Sequence, residues 1–257
     1  MTQLDGTRLD FDPATLPWLD NTAAAMDRYI DSLDPTPEDP ETLRRQLLMW
    51  SQFGFVIMGN AIEHELIDAY LADLDQLFHE RDKHRVILHS SAYDHTPINE
   101  YPRDIVDALA QGKDEIRTRV VDFHNYSIAA KKLSMHKSIT GFLEHVFQDR
   151  IVGIQSLTFF KGSQQVQHQD FAFVPAHIPS HLAATWIALE DIHPDAGPLA
   201  YIPASHTFPK FDWGDGIYRT PNSTATDQQF ADHLHREAEK AGLPLLTFCP
   251  KKGDVFF

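Results

Sequence analysis

His168, Gln169 and Asp170 put an imidazole and a carboxylate two residues apart, just ahead of the apolar run Phe171–Val174. In an extended segment, residues i and i+2 face the same side, about 7 Å apart along the backbone. A nitrogen and an oxygen donor projecting together suit a divalent metal ion. A third ligand from a distant strand would complete a two-histidine, one-carboxylate face, which leaves open positions on Fe(II) for a bidentate co-substrate and O2. Taken alone, His-x-Asp is a short pattern in a chain with 15 histidines. The competing reading is a strand-end imidazole beside a solvated carboxylate.

The other histidines carry less. His193-Pro194-Asp195 repeats the pattern inside HPDAGP, which is turn chemistry and reads as a loop. His177 and His181 flank Pro179 in another loop and read as surface residues. His79, His84, His89 and His95 fall in a polar region without repeated spacing. His206 ends the segment Tyr201–His206; it is a candidate third ligand, with a structural role favoured.

The elements that must position His168 and Asp170 follow from periodicity. Thr22 to Leu33 reads as a short helix. Leu43, Leu47, Trp50 and Phe53 fall at helical spacing, with Gly54 as the stop. Phe55–Met58 reads as a short strand. Asn60 is placed to cap the next helix, with Glu63 three residues on. That helix carries Ile62, Leu66, Ile67, Tyr70, Leu71, Leu74, Leu77 and Phe78 on one side. Arg119–Phe123 reads as a strand and Ile139–Phe147 as a helix, within a region from 80 to 135 of mixed texture. Short runs then take over, rich in β-branched and aromatic residues: Ile154–Phe160, Ala183–Leu189, Leu199–Pro203, Leu245–Phe248 and Asp254–Phe257. A helix from Thr226 to Ala241, capped by Thr226 and Gln229 and stopped by Gly242, interrupts them. The expected fold is α+β: N-terminal packing helices, then an antiparallel sandwich or barrel. Residues 1–40, rich in Asp, Pro and Thr, read as an N-terminal arm, and 41–257 as the main domain.

Composition narrows the function. The chain has 257 residues and a formal net charge of −15. So acidic a chain is a poor partner for nucleic acid or an anionic membrane surface. No run of 18 uncharged apolar residues exists, and MTQLDGTRLDFD lacks the basic and apolar regions of a secretory leader. The single Cys249 excludes an internal disulfide and any multi-cysteine metal site. It fits a reducing, cytoplasmic setting.

The strand QSLTFF, then GSQQVQHQD, then HLAATWIALEDIHPDAGPLAYIPASH resemble, in that order, the phytanoyl-CoA dioxygenase family of Fe(II)/2-oxoglutarate oxygenases. Gly54–Met58 before a helix and the terminal KKGDVFF extend the resemblance over roughly residues 43–257. It implies a double-stranded β-helix core, also called a jelly roll and cupin-like. It implies Fe(II), 2-oxoglutarate and O2 as cofactor and co-substrates, with His168 and Asp170 as metal ligands. Trp186 matches a position lining the oxoglutarate site. Gln155 and Leu157, on one face of their strand, match a strand contributing to the same pocket. The family's distal metal histidine, and the arginine that pairs with the oxoglutarate carboxylate, are expected beyond Phe257. The chain stops in mid-strand, so a C-terminal piece is expected to be missing and the 257-residue chain to be inactive. The Pro-x-Ser-His ending is not the family's distal ligand, so His206 is not promoted.

The implied reaction decarboxylates 2-oxoglutarate to succinate and CO2 while hydroxylating a substrate C–H bond. Retention of Asp170 favours hydroxylation over halogenation, since related halogenases lose this carboxylate. The negative charge disfavours a coenzyme A thioester, so the expected substrate is a small metabolite. Residues 207–242, which interrupt the core strands, are a lid candidate. Two rival readings stand: a non-catalytic jelly-roll binding module, and a zinc hydrolase, for which no placed general base is visible.

Overall fold

The computed structural model describes residues 23–113, 116–162, 165–176 and 181–257. Helix α1 (Ala23–Asp31) packs on α2 (Pro40–Phe53). The two are clamped by Arg44, whose Nε donates to Asp27 at 2.6 Å, and Met26 and Ile30 enter the same core as Leu43 and Leu47. Helix α2 starts where Asp39 accepts the Thr42 N–H at 2.9 Å, with Pro40 in its first turn. It ends at Gly54, whose φ of 75° is left-handed and whose N–H returns to the Trp50 carbonyl.

Strand β1 (Ile57–Met58) leads to α3 (His64–His79). The expected cap at Asn60 does not form. Asn60 sits at φ 50° with its N–H donated to Asp254 Oδ1 at 2.8 Å, and Ala61 and Ile62 both donate to the Gly253 carbonyl. This turn is thus pinned to the chain's last turn, and the helix begins only after Glu63, which makes no side-chain cap.

Residues 80–135 contain a hairpin, β2 (Ile87–His89) with β3 (Thr96–Pro97). Helix α4 (Arg103–Ala110), strand β4 (Arg119–Val121) and helix α5 (Ile128–Ser134) follow. Beyond α6 (Lys137–Phe147) come β5 (Leu157–Phe159), β6 (Trp186–Ile187), β7 (Leu199–Tyr201), α7 (Asp227–Ala241), β8 (Leu246–Phe248) and β9 (Val255–Phe256). Each of the strands β5 to β9 falls inside its expected apolar run but is shorter. Among the described residues the strands form three sheets, β1-β9-β6, β3-β2-β4-β5 and β7-β8, with every pairing antiparallel. The fold is α+β.

Among the described residues, two apolar cores hold it. The larger joins helices α1–α6 to β2, β4 and β9 around Leu47, Ile67, Leu88, Leu109, Val146 and Val255. The smaller gathers Trp213, Phe230 and Leu234 from the 207–242 segment against Ala172 and Ile202. Its helix, α7, is closed by the reciprocal Thr226–Gln229 capping box and ends at Gly242.

Candidate metal centre

Backbone geometry brings the His-x-Asp pair together. Gln169 is extended, at φ −118° and ψ 125°, so His168 and Asp170 lean to one side. The segment is extended, as expected, without being part of a sheet. Asp170 already opens a 3-10 turn through Ala172, and that turn is captured by the smaller core. Ala172 is fully buried there, and its carbonyl accepts the Arg219 N–H at 2.8 Å. Gln169 donates through Nε2 to the Ser205 carbonyl at 2.9 Å, tying the segment to the end of the β7 run.

His168 Nε2 lies 3.2 Å from Asp170 Oδ1, with the side chains 29% and 48% exposed. His168 Nδ1 lies 2.8 Å from the Val166 carbonyl. A carbonyl only accepts, so Nδ1 carries a proton and Nε2 is the nitrogen turned to the carboxylate. The Phe173 ring stands edge-on to the imidazole, centroids 5.7 Å apart, which fixes the ring plane. The hydrogen bond that His168 donates to the Asp170 carboxylate raises the His168 pKa above the ordinary histidine value, against partial burial, with the Val166 carbonyl and Asp227 adding to it.

Two donors bonding one ion at about 2.0–2.2 Å, at right-angled to tetrahedral geometry, stand about 3–3.5 Å apart. The spacing, the fixed tautomer and the exposed face all fit a metal ion that takes the place of the shared proton. Among the described residues, no third His, Cys, Asp or Glu joins this pair within metal-ligating distance. His206 is engaged elsewhere: its Nε2 bonds the Ser51 carbonyl at 3.2 Å, and its ring packs on Gly54 at the end of α2.

The remaining expected residues make contacts of their own. Trp186 is half-buried in β6, registered opposite Phe256 and edge-on to Phe248 at 6.2 Å. Leu157 and Gln155 are exposed, while Thr158 between Leu157 and Phe159 is buried against Tyr70. Among the described residues, no hydrogen bond or ring contact joins Trp186, Gln155 or Leu157 to His168 or Asp170. His193-Pro194-Asp195 is an exposed 3-10 turn, as its composition requires. His181 is half-buried, 5.9 Å from the Phe147 ring, rather than a free surface residue. His177 lies outside the described residues. Sequence reasoning passed over Gln169 and Phe173, which hold the pair in place. Their position beside His-x-Asp is the only signal for them.

The fold resembles solved structures at low identity. The non-heme α-ketoglutarate-dependent epimerase SnoN from nogalamycin biosynthesis matches with a TM-score of 0.54 and 20% identity, over 85% of this chain and 73% of that one. The non-heme α-ketoglutarate-dependent carbocyclase SnoK from nogalamycin biosynthesis matches with a TM-score of 0.54 and 18% identity, over 82% and 72%. Among curated proteins, none matches the chain at a significant level. The profile of the phytanoyl-CoA dioxygenase (PhyH) family covers residues 50–257, and the chain belongs to that family.

Proposed function

We propose that the protein is an Fe(II)/2-oxoglutarate-dependent oxygenase that hydroxylates a small-molecule metabolite. His168 Nε2 and Asp170 Oδ1 are the proposed metal ligands, and residues 41–257 the oxygenase domain, built on a jelly-roll core. The observation that carries this reading is the 3.2 Å donor pair, with its tautomer set by the Val166 carbonyl. Family membership supports the dependence on Fe(II), 2-oxoglutarate and O2. A solved SnoN complex with Fe3+ and α-ketoglutarate agrees with it.

When bound, iron with 2-oxoglutarate and O2 supplies oxidation of a C–H bond coupled to release of succinate and CO2. The chain's own residues do the rest. Asp170 provides one anionic ligand, which offsets part of the ion's charge. The Val166 carbonyl holds the Nδ1 proton of His168, so that Nε2 presents its lone pair. Gln169, Phe173 and the smaller core keep both side chains on one side. Trp186, Gln155 and Leu157 are proposed to line the oxoglutarate pocket. The chain's charge of −15 favours a substrate without the several negative charges of a coenzyme A thioester.

The test is 2-oxoglutarate turnover in the full-length protein with Fe(II), followed as succinate. Asp170→Ala is expected to abolish succinate formation while leaving the fold intact by circular dichroism. Unchanged turnover would remove Asp170 from the mechanism. Product mass then separates reaction types. Hydroxylation adds one oxygen atom, epimerisation leaves mass unchanged, and ring closure removes two hydrogens.

A further inference from the structure

The β2–β3 hairpin carries a second group of metal-ligating side chains, unrelated to the His168–Asp170 pair. His89 closes β2, and Asp94 and His95 come just before β3. Among the described residues, His89, Asp94 and His95 form the one group of three such side chains whose donor atoms all lie within 4.8 Å of one another. Both imidazoles aim Nδ1 at the same carboxylate oxygen, Asp94 Oδ1, at 3.0 Å from His89 and 2.5 Å from His95. The two rings lie 4.7 Å apart, tilted by 49°.

This convergence is built into the loop. Ser90, buried, accepts the Tyr93 N–H on its hydroxyl and returns its own N–H to the Tyr93 carbonyl, which closes the turn. The Ser90 hydroxyl also bonds the Tyr101 hydroxyl at 2.8 Å, and the Tyr93 ring lies 4.8 Å from the Tyr101 ring. His95 is held at φ 39°, left-handed backbone that a β-carbon disfavours. That conformation swings its ring back over His89. Thr96 bonds the Asp94 carbonyl at 3.1 Å and fixes the residue between the two histidines. Asp94 and His95 are exposed, so one side of the cluster is open to water ligands.

We propose that His89, Asp94 and His95 form a binding site for a divalent transition-metal ion of the zinc class, fastening the β2–β3 hairpin. Two neutral imidazoles and one carboxylate match the ligand preference of zinc and its neighbours. Calcium and magnesium, which want oxygen donors, do not fit. Donor separations of 3.0 and 2.5 Å need only small side-chain movements to reach the spacing around one ion. Water supplies the remaining positions. The charged neighbour is Arg119, registered opposite His89 on β4. Its positive charge moderates affinity, so binding is expected to be reversible by a chelator.

The full chain, stripped with a chelator and titrated with Zn(II) alone by calorimetry, tests this. The background is His168→Ala/Asp170→Ala, which removes the proposed iron ligands, so the outcome does not depend on the oxygenase reading. On that background one zinc ion is expected to bind and to raise Tm. Adding His89→Ala/His95→Ala is expected to weaken binding by more than about tenfold, the least that loss of even an outer partner costs a metal site, and to erase the Tm rise. Asp94→Asn keeps the turn's shape but loses the anionic ligand, and is expected to weaken zinc binding as well. Zinc affinity unchanged in both the histidine and the Asn variants would overturn the proposal, as would no zinc binding on the background.

Discussion

At the scale of single residues, two side chains carry the proposed chemistry and two neighbours hold them. His168 and Asp170 announce themselves by type and spacing; Gln169 and Phe173 do not. Gln169 sits between the proposed ligands, and its amide spans to the Ser205 carbonyl. A hydrogen bond of this kind contributes about 1 kcal/mol, which is roughly fivefold in a binding constant. Gln169→Ala is therefore expected to weaken Fe(II) binding by about fivefold, measured by equilibrium dialysis, without loss of folded protein. An equal affinity would mean that the Ala172–Arg219 anchor alone sets the geometry.

At the scale of elements, capping and turn chemistry decide what packs on what. The end of α2 is one tight case. A β-carbon at Gly54 would fall 2.4 Å from His206 Nδ1, on a backbone already at φ 75°. Gly54→Ala thus meets both left-handed strain of about 1–2 kcal/mol and a ring that must move off the Ser51 carbonyl. The expected loss of about 2 kcal/mol or more is readable by urea unfolding. Removing the ring as well, in Gly54→Ala/His206→Ala, tests the clash. The steric share is recovered and the strain is not, so additive losses in the double variant would contradict the contact. This contact also explains His206 better than metal ligation does.

The same elements show what the sequence could and could not convey. Helix α7 was legible to its caps, because Thr226, Gln229 and Gly242 are local signals. The apolar strands were legible in place but not in length. Asp122 N–H to the Ser156 carbonyl and Ser156 N–H to Asp122 Oδ1 mark where β4 and β5 part, a pairing 34 residues apart. Asn60 misled because its N–H is claimed by Asp254, which no local pattern reveals. The β2–β3 hairpin was missed for a similar reason. Its loop is closed by the Ser90 side chain rather than by Gly or Asn, so His89 and His95 showed no spacing that marked them.

At the scale of the molecule, the two cores divide the labour. The larger joins the helices to the sheets, and the smaller fastens the segment of the proposed metal site through Ala172. Residues 207–242, the lid candidate, pack Trp213 and Phe230 fully into that smaller core. Beside the larger core lies a half-buried titratable contact. His145 on α6 accepts or donates at Nδ1 with the Tyr29 hydroxyl at 3.0 Å, joining α6 to α1. Burial lowers its pKa below the ordinary value of 6.5. Well above that value the folded and unfolded chains both hold it neutral, and it makes no difference to stability with pH. As pH falls through about 6.5, the unfolded chain takes a proton that the folded chain resists, and stability is lost until the folded pKa is passed. His145→Gln is expected to flatten this acid-side loss in urea midpoints taken from neutral to mildly acidic pH. An unchanged slope would mean that His145 does not titrate differently on unfolding.

The proposal that one ion bridges His168 and Asp170 is tested most directly by a crystal structure of the protein grown anaerobically with Fe(II) and 2-oxoglutarate, the metal located by its anomalous signal. The account predicts an ion within about 2.0–2.2 Å of both His168 Nε2 and Asp170 Oδ1. In that structure 2-oxoglutarate chelates the ion and the His168 Nδ1 contact to the Val166 carbonyl is preserved. Iron found elsewhere, with His168 and Asp170 still hydrogen-bonded to each other, would contradict it.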